Sequence, residues 1–135
     1  MYYSSTIKCE VGLFGCVANG GVIKNVGVVD SYFKGIYRIG GLCGYVALGT
    51  ISNCYNASTV IGELGSASEE IYVGGICGEN AGTITNCYSR GKVDGPSNDN
   101  SHVGGLCGFN NHKYITNYYY DSNIYTGTLL STKIH

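Results

Sequence analysis

Polar and apolar residues alternate along this chain in short runs. In Thr83-Ile84-Thr85-Asn86 the alternation has the period of two that a half-buried strand requires. No window of eleven residues places apolar side chains at i, i+3, i+4 and i+7 without a Gly or Asn interruption. The pattern predicts short strands joined by Gly and Asn corners, and no helix.

The runs also repeat. Val11-Gly12-Leu13-Phe14-Gly15, Gly40-Gly41-Leu42-Cys43-Gly44, Gly74-Gly75-Ile76-Cys77-Gly78 and Gly104-Gly105-Leu106-Cys107-Gly108 align at offsets of 29, 34 and 30 residues. A second block follows each: Val22-Ile23-Lys24-Asn25-Val26, Thr50-Ile51-Ser52-Asn53-Cys54-Tyr55, Thr83-Ile84-Thr85-Asn86-Cys87-Tyr88 and Tyr114-Ile115-Thr116-Asn117-Tyr118-Tyr119. A third, weaker block is read at Val28-Val29, Thr59-Val60-Ile61, Lys92-Val93 and Asn123-Ile124-Tyr125. Length variation is confined to the first turn and to polar stretches such as 61–70 and 94–101. Variable loops on one edge are what stacked repeats produce.

A period near 30 residues without helical spacing predicts an all-β, right-handed parallel β-solenoid of about four coils, three strands to a coil. One domain, 1–135, is expected. Its repeats run over about 10–38, 39–72, 73–102 and 103–125, with a tail at 126–135. The competing architecture is a propeller, which needs four strands within each 30 residues and more repeats than four.

The pattern Val-Gly-Gly-Leu-Cys-Gly followed by Gly-Thr-Ile-Thr-Asn-Cys-Tyr resembles the GLUG repeat of bacterial surface proteins. The resemblance covers residues 10 to about 125 and is strongest in the two middle repeats. It implies a β-solenoid scaffold in extracellular, adhesin-like chains, or in repeat regions beside immunoglobulin-A-specific metallopeptidases, and no active site of its own. In the family, Val or Ile usually stands where this chain has Cys.

Composition narrows the classes. Of 135 residues, 44% are hydrophobic and only 13% charged, which excludes a disordered chain. The 22 glycines lack a three-residue period and accompany one proline, so this is not collagen. A net charge of −1 argues against nucleic acid or an anionic membrane surface as partner. No run of 18 apolar residues exists, so no membrane insertion is expected. No basic stretch precedes an apolar run near Met1, leaving a cytosolic protein or a piece of a longer exported chain. The resemblance favours the second, at the bacterial cell surface.

The repeated positions have structural roles. Asn25, Asn53, Asn86 and Asn117 are expected at corners, where Asn tolerates left-handed backbone, with amides bonding from coil to coil. Ile23, Ile51, Ile84 and Ile115, with Leu13, Leu42, Ile76 and Leu106, form core ladders. Seven cysteines include two ladders, Cys43/Cys77/Cys107 and Cys54/Cys87, beside Cys9 and Cys16. An odd count leaves at least one unpaired. Phe14, Val26 and Tyr118 stand at the ladder positions in other repeats, so buried thiols suffice there. Such thiols would suit a reducing source. Disulfides between neighbouring coils stay open, because strand spacing falls within their reach.

Leu and Cys are adjacent, and on one strand they would face opposite sides. Cys43, Cys77 and Cys107 would then need a cover from a partner or adjoining domain. Tyr55, Tyr88 and Tyr119 form an outward stripe that either stacks on itself or holds sugar rings.

His102, His112 and His135 are unrepeated and lack metal-ligand spacing, and the 94–100 loop lacks a calcium pattern. No catalytic residue, metal or cofactor is expected. Three readings follow: an adhesin-like structural or binding segment, an accessory region of a secreted metallopeptidase, and a carbohydrate-binding module. Partners would be a host or cell-surface protein or glycan. The weakly polar ends, 1–10 and 126–135, also point to end-to-end self-association.

Overall fold

The computed structural model describes residues 1–65, 69–111 and 114–120. The third block of the last repeat, the 126–135 tail, His112 and His135 lie outside them. The described residues are all β, without a helix. A short strand β1 (Tyr2–Ser4) precedes four coils. Coil one holds β2 (Glu10–Val11), β3 (Phe14–Val17), β4 (Val22–Lys24) and β5 (Gly27–Gly35). Coil two holds β6 (Arg38–Gly40), β7 (Cys43–Val46), β8 (Thr50–Ser52) and β9 (Tyr55–Gly62). Coil three holds β10 (Ile71–Gly74), β11 (Cys77–Asn80), β12 (Thr83–Ser89) and β13 (Val93–Asp94). Coil four holds β14 (Ser101–Gly104), β15 (Cys107–Asn110) and β16 (Tyr114–Tyr120).

Every strand pairs in parallel with its equivalent one coil away. One sheet runs β2-β6-β10-β14 and a second β3-β7-β11-β15. The third, eight-stranded sheet collects the remaining strands. This is a β-solenoid of about four turns.

Register makes the core a set of rungs. Ile23, Ile51, Ile84 and Ile115 are successive Cα partners. Val11, Ile39, Val73 and Val103 form another rung. Ile39, Ile51, Val73 and Ile84 are fully buried. In a solenoid no coil can bury its apolar face alone, so each rung stabilises its neighbours.

Asn25, Asn53, Asn86 and Asn117 all have φ between 50° and 59°. That left-handed backbone lets the chain bend within the third sheet while main-chain bonds continue, as from Asn53 N–H to Thr85 O at 3.1 Å. The expected amide ladder at these corners does not form: the four side chains are exposed. The amide bond between coils lies elsewhere. Asn80 donates through Nδ2 to Asn110 Oδ1 at 3.0 Å, at a buried rung that carries Val17 and Val46 in the first two coils. Asn86→Gly should leave stability within about 0.5 kcal/mol, whereas Asn86→Val should cost about 1–2 kcal/mol. Urea unfolding of the two variants checks this, and equal midpoints would deny the corner its role.

Each of the first three coils carries four strands and not the expected three, and two further sequence expectations are corrected. Leu42 and Cys43 do not share a strand. Gly41 and Leu42 form a bend between β6 and β7, so alternation is interrupted there. Leu42, Ile76 and Leu106 are fully buried, and so are Cys43, Cys77 and Cys107. No outside cover is needed. The bends stack as regularly as the strands, with Leu42 N–H bonded to Ile76 O at 3.0 Å and Ile76 N–H to Leu106 O at 2.8 Å.

The third block of coil one is Tyr32-Phe33, not Val28-Val29. Tyr32 pairs with Thr59 and Phe33 with Val60, whereas Val28 and Val29 pair with Asn56 and Ala57. A bulge at Asp30 and Ser31, with Asp30 at φ 50°, shifts the register and hid the match.

Candidate functional site

Three features stand out from the repeated frame: a charged aromatic cluster around Arg38, the tyrosine stripe, and the thiol ladders. The cluster arises at the residue just before the apolar-Gly pair of each coil. That position is Glu10, Arg38, Tyr72 and His102 in turn, and the four are register partners on β2, β6, β10 and β14.

Arg38 is the hub. Its Nη1 donates to Glu10 Oε1 at 2.9 Å and its Nε to Glu79 Oε1 at 2.8 Å. Its guanidinium carbon lies 4.1 Å from the Tyr45 ring centre and 4.5 Å from that of Tyr37. Burial acts to lower the Arg38 pKa, and Glu79, Tyr37 and Glu10 together outweigh it, so the net direction is upward. Tyr72 stacks on His102 with centroids 5.0 Å apart and donates its hydroxyl to Glu70. Burial first, then that bond, raises the Tyr72 pKa. Phe109 closes the group with its ring 5.5 Å from His102.

Glu79 is 8% exposed, so truncating Arg38 would strand a buried carboxylate. The arrangement is a brace: one side chain holds coils one, two and three together. Sequence reading missed it because four different residue types occupy one repeat position. Aligning the residue before each apolar-Gly pair would have exposed the row.

The stripe is an aromatic ladder. Tyr55 and Tyr88 are stacked, with centroids 5.1 Å apart and planes 6° from parallel. Tyr119 meets Tyr88 edge-on at 6.3 Å. The next place in coil one is Gly27, and the Tyr55 ring fills the space its side chain would take. The shared face of Tyr55 and Tyr88 is occupied by the rings themselves, whereas stacking a sugar needs a free ring face. The geometry therefore favours ring-on-ring packing along the sheet.

None of the seven cysteines is bridged in the structure. Burial pushes Cys43 up to about 12 and Cys87 up to about 11 from an ordinary 9.0, and raises Cys54 as well. Thiols whose pKa is raised by folding contribute stability that is fully present below the unfolded value and lost as pH rises through the folded one. The thermal midpoint should fall between pH 9 and 12. Cys87→Val, which copies Val26 of coil one, should flatten that fall in a pH series of melting curves. An unchanged slope would remove Cys87 from the account.

Asn56-Ala57-Ser58 matches a glycosylation acceptor, but the Asn56 side chain is fully buried and bonded to Ser58. It is a structural part of strand β9.

Parallel strands, stacked Gly bends and left-handed Asn corners define a β-solenoid repeat chain. A family model described as the GLUG motif matches residues 35–61 and 69–94, which are coils two and three. Those two coils carry the GLUG motif. No curated protein and no solved structure matches it.

Proposed function

We propose that this chain is a non-catalytic structural and binding segment of a bacterial cell-surface or secreted protein, with an adhesin-like role. The observation behind this reading is where the repeated residues go. Ile51, Ile84, Leu42, Ile76 and Cys77 fill the core, and Asn53 and Asn86 turn corners. What the sequence repeats is architecture. A scaffold built this way extends by adding coils and holds its outward side chains at fixed spacing. Its partner is a host or cell-surface protein, met by outward residues that differ from coil to coil. The test is antibody labelling of intact source cells. Labelling before permeabilisation supports the reading, and labelling only afterwards overturns it.

Copies of the chain associate through their ends. Among the described residues β2, β3 and β4 each pair on one side only, and Phe14 and Val22 are exposed beside those edges. Edge strands with apolar neighbours are templates for further pairing. Sedimentation over a concentration series should show mass increasing with concentration, and a monomer throughout would refute the idea.

A further inference from the structure

We propose that Cys77 and Cys107 are a disulfide-forming pair that links coil three to coil four, and that the link forms before these coils close. The proposal is independent of the surface reading. The two residues are register partners on β11 and β15, and their Sγ atoms lie 3.5 Å apart. Adjacent strands hold such partners at roughly 4.8 Å, inside the Cα range that a disulfide spans.

The other ladder thiols each reach a main-chain carbonyl, and Cys54 and Cys87 also meet side chain to side chain. Cys43, the second register partner of Cys77, reaches Tyr45 O at 3.0 Å and Gly15 O at 3.6 Å. Cys54 reaches Ser52 O at 3.2 Å, and Cys87 reaches Thr85 O at 3.3 Å. Cys107 also reaches Phe109 O at 3.2 Å, a contact given up when the sulfurs join.

The oxidant is a small-molecule disulfide such as oxidised glutathione. The Cys77 thiolate attacks one of its sulfurs, forming a mixed disulfide and releasing one glutathione thiolate. The Cys107 thiolate then attacks the Cys77 sulfur and releases the second. Two protein thiols are oxidised and one small disulfide is reduced to two thiols, which take up the two protons.

Timing follows from burial. Both side chains are 0% exposed, and burial holds Cys77 protonated. Neither the attacking thiolate nor an approach path for glutathione exists once the coils have closed.

The experiment uses the full chain. Reduced, denatured protein is refolded in mixed reduced and oxidised glutathione, and reduced native protein is incubated in the same buffer for the same time. Both are denatured, alkylated and mapped by mass spectrometry. Refolded protein should carry label on five of the seven cysteines, with a peptide joining Cys77 to Cys107 and a melting midpoint higher by roughly 10 °C. Native protein should label on all seven, and Cys107→Ala should abolish the link. Export of the same chain to a bacterial periplasm gives a second measurement if refolding yields aggregate. Seven labelled cysteines in folded, oxidised product overturn the proposal, as does a link from Cys77 to Cys43. Equally fast linking in the native protein overturns the timing.

Discussion

Ile51→Asp should yield no folded protein. Ile51 is fully buried, with Ile23 and Ile84 as its register partners on either side. A carboxylate there has water on no side and no cation within the rung. Burying an unpaired charge costs several kcal/mol, even where the group escapes by taking up a proton. Single domains have about 5–15 kcal/mol in total. Because the defect falls in an inner coil, it separates coil one from coil three and breaks the stack rather than fraying it. Circular dichroism should lose the β signal at room temperature. Ile51→Val, which removes one methylene, should cost only about 1 kcal/mol and keep the spectrum. A cooperative melt from Ile51→Asp would mean that coils fold independently of their ladder.

Gly78→Ala should be nearly as severe, although it adds a single methyl. A Cβ on Gly78 would lie 2.7 Å from Ile39 N, 2.8 Å from Gly44 O and 2.8 Å from Tyr72 O. All three are backbone atoms of paired strands, so none can step aside without opening a sheet. The equivalent residue of coil one is Gly15, where the nearest atom to an added Cβ is 3.8 Å away. Gly15→Ala should therefore be mild, within about 1 kcal/mol. Comparing the midpoints of the two variants in urea isolates the close approach of the first two sheets. If they fell equally, the glycine would be acting through backbone freedom and not through space.

Much of this architecture was legible because identical residues recur at identical places. Ile84 and Asn86 read the same in the sequence as they stand in the fold, since inward rungs and left-handed corners each accept few residue types. Other features were not legible. Leu42 and Cys43 look like neighbours on a strand, and only the bend at Gly41 and Leu42 lets both turn inward. Phe33 was hidden by one extra residue in the bulge at Asp30 and Ser31, which shifts its register against Val60. The Arg38 brace left no repeated trace, because outward positions answer to their particular neighbours and not to a shared core.

The Arg38 brace also bears on how such a chain can change length. Removing or duplicating a unit of about 30 residues keeps most inner rungs matched, Ile on Ile and Gly bend on Gly bend. The outer row does not survive the same edit. Loss of coil two would set Glu10 beside Tyr72 and leave Glu79 buried without its cation, and a unit inserted after coil one would carry Glu10 out of reach of Arg38. The apolar rungs are thus largely indifferent to copy number while the Arg38 row records order, so recombination among these repeats is filtered chiefly by a few paired charges and less by the core.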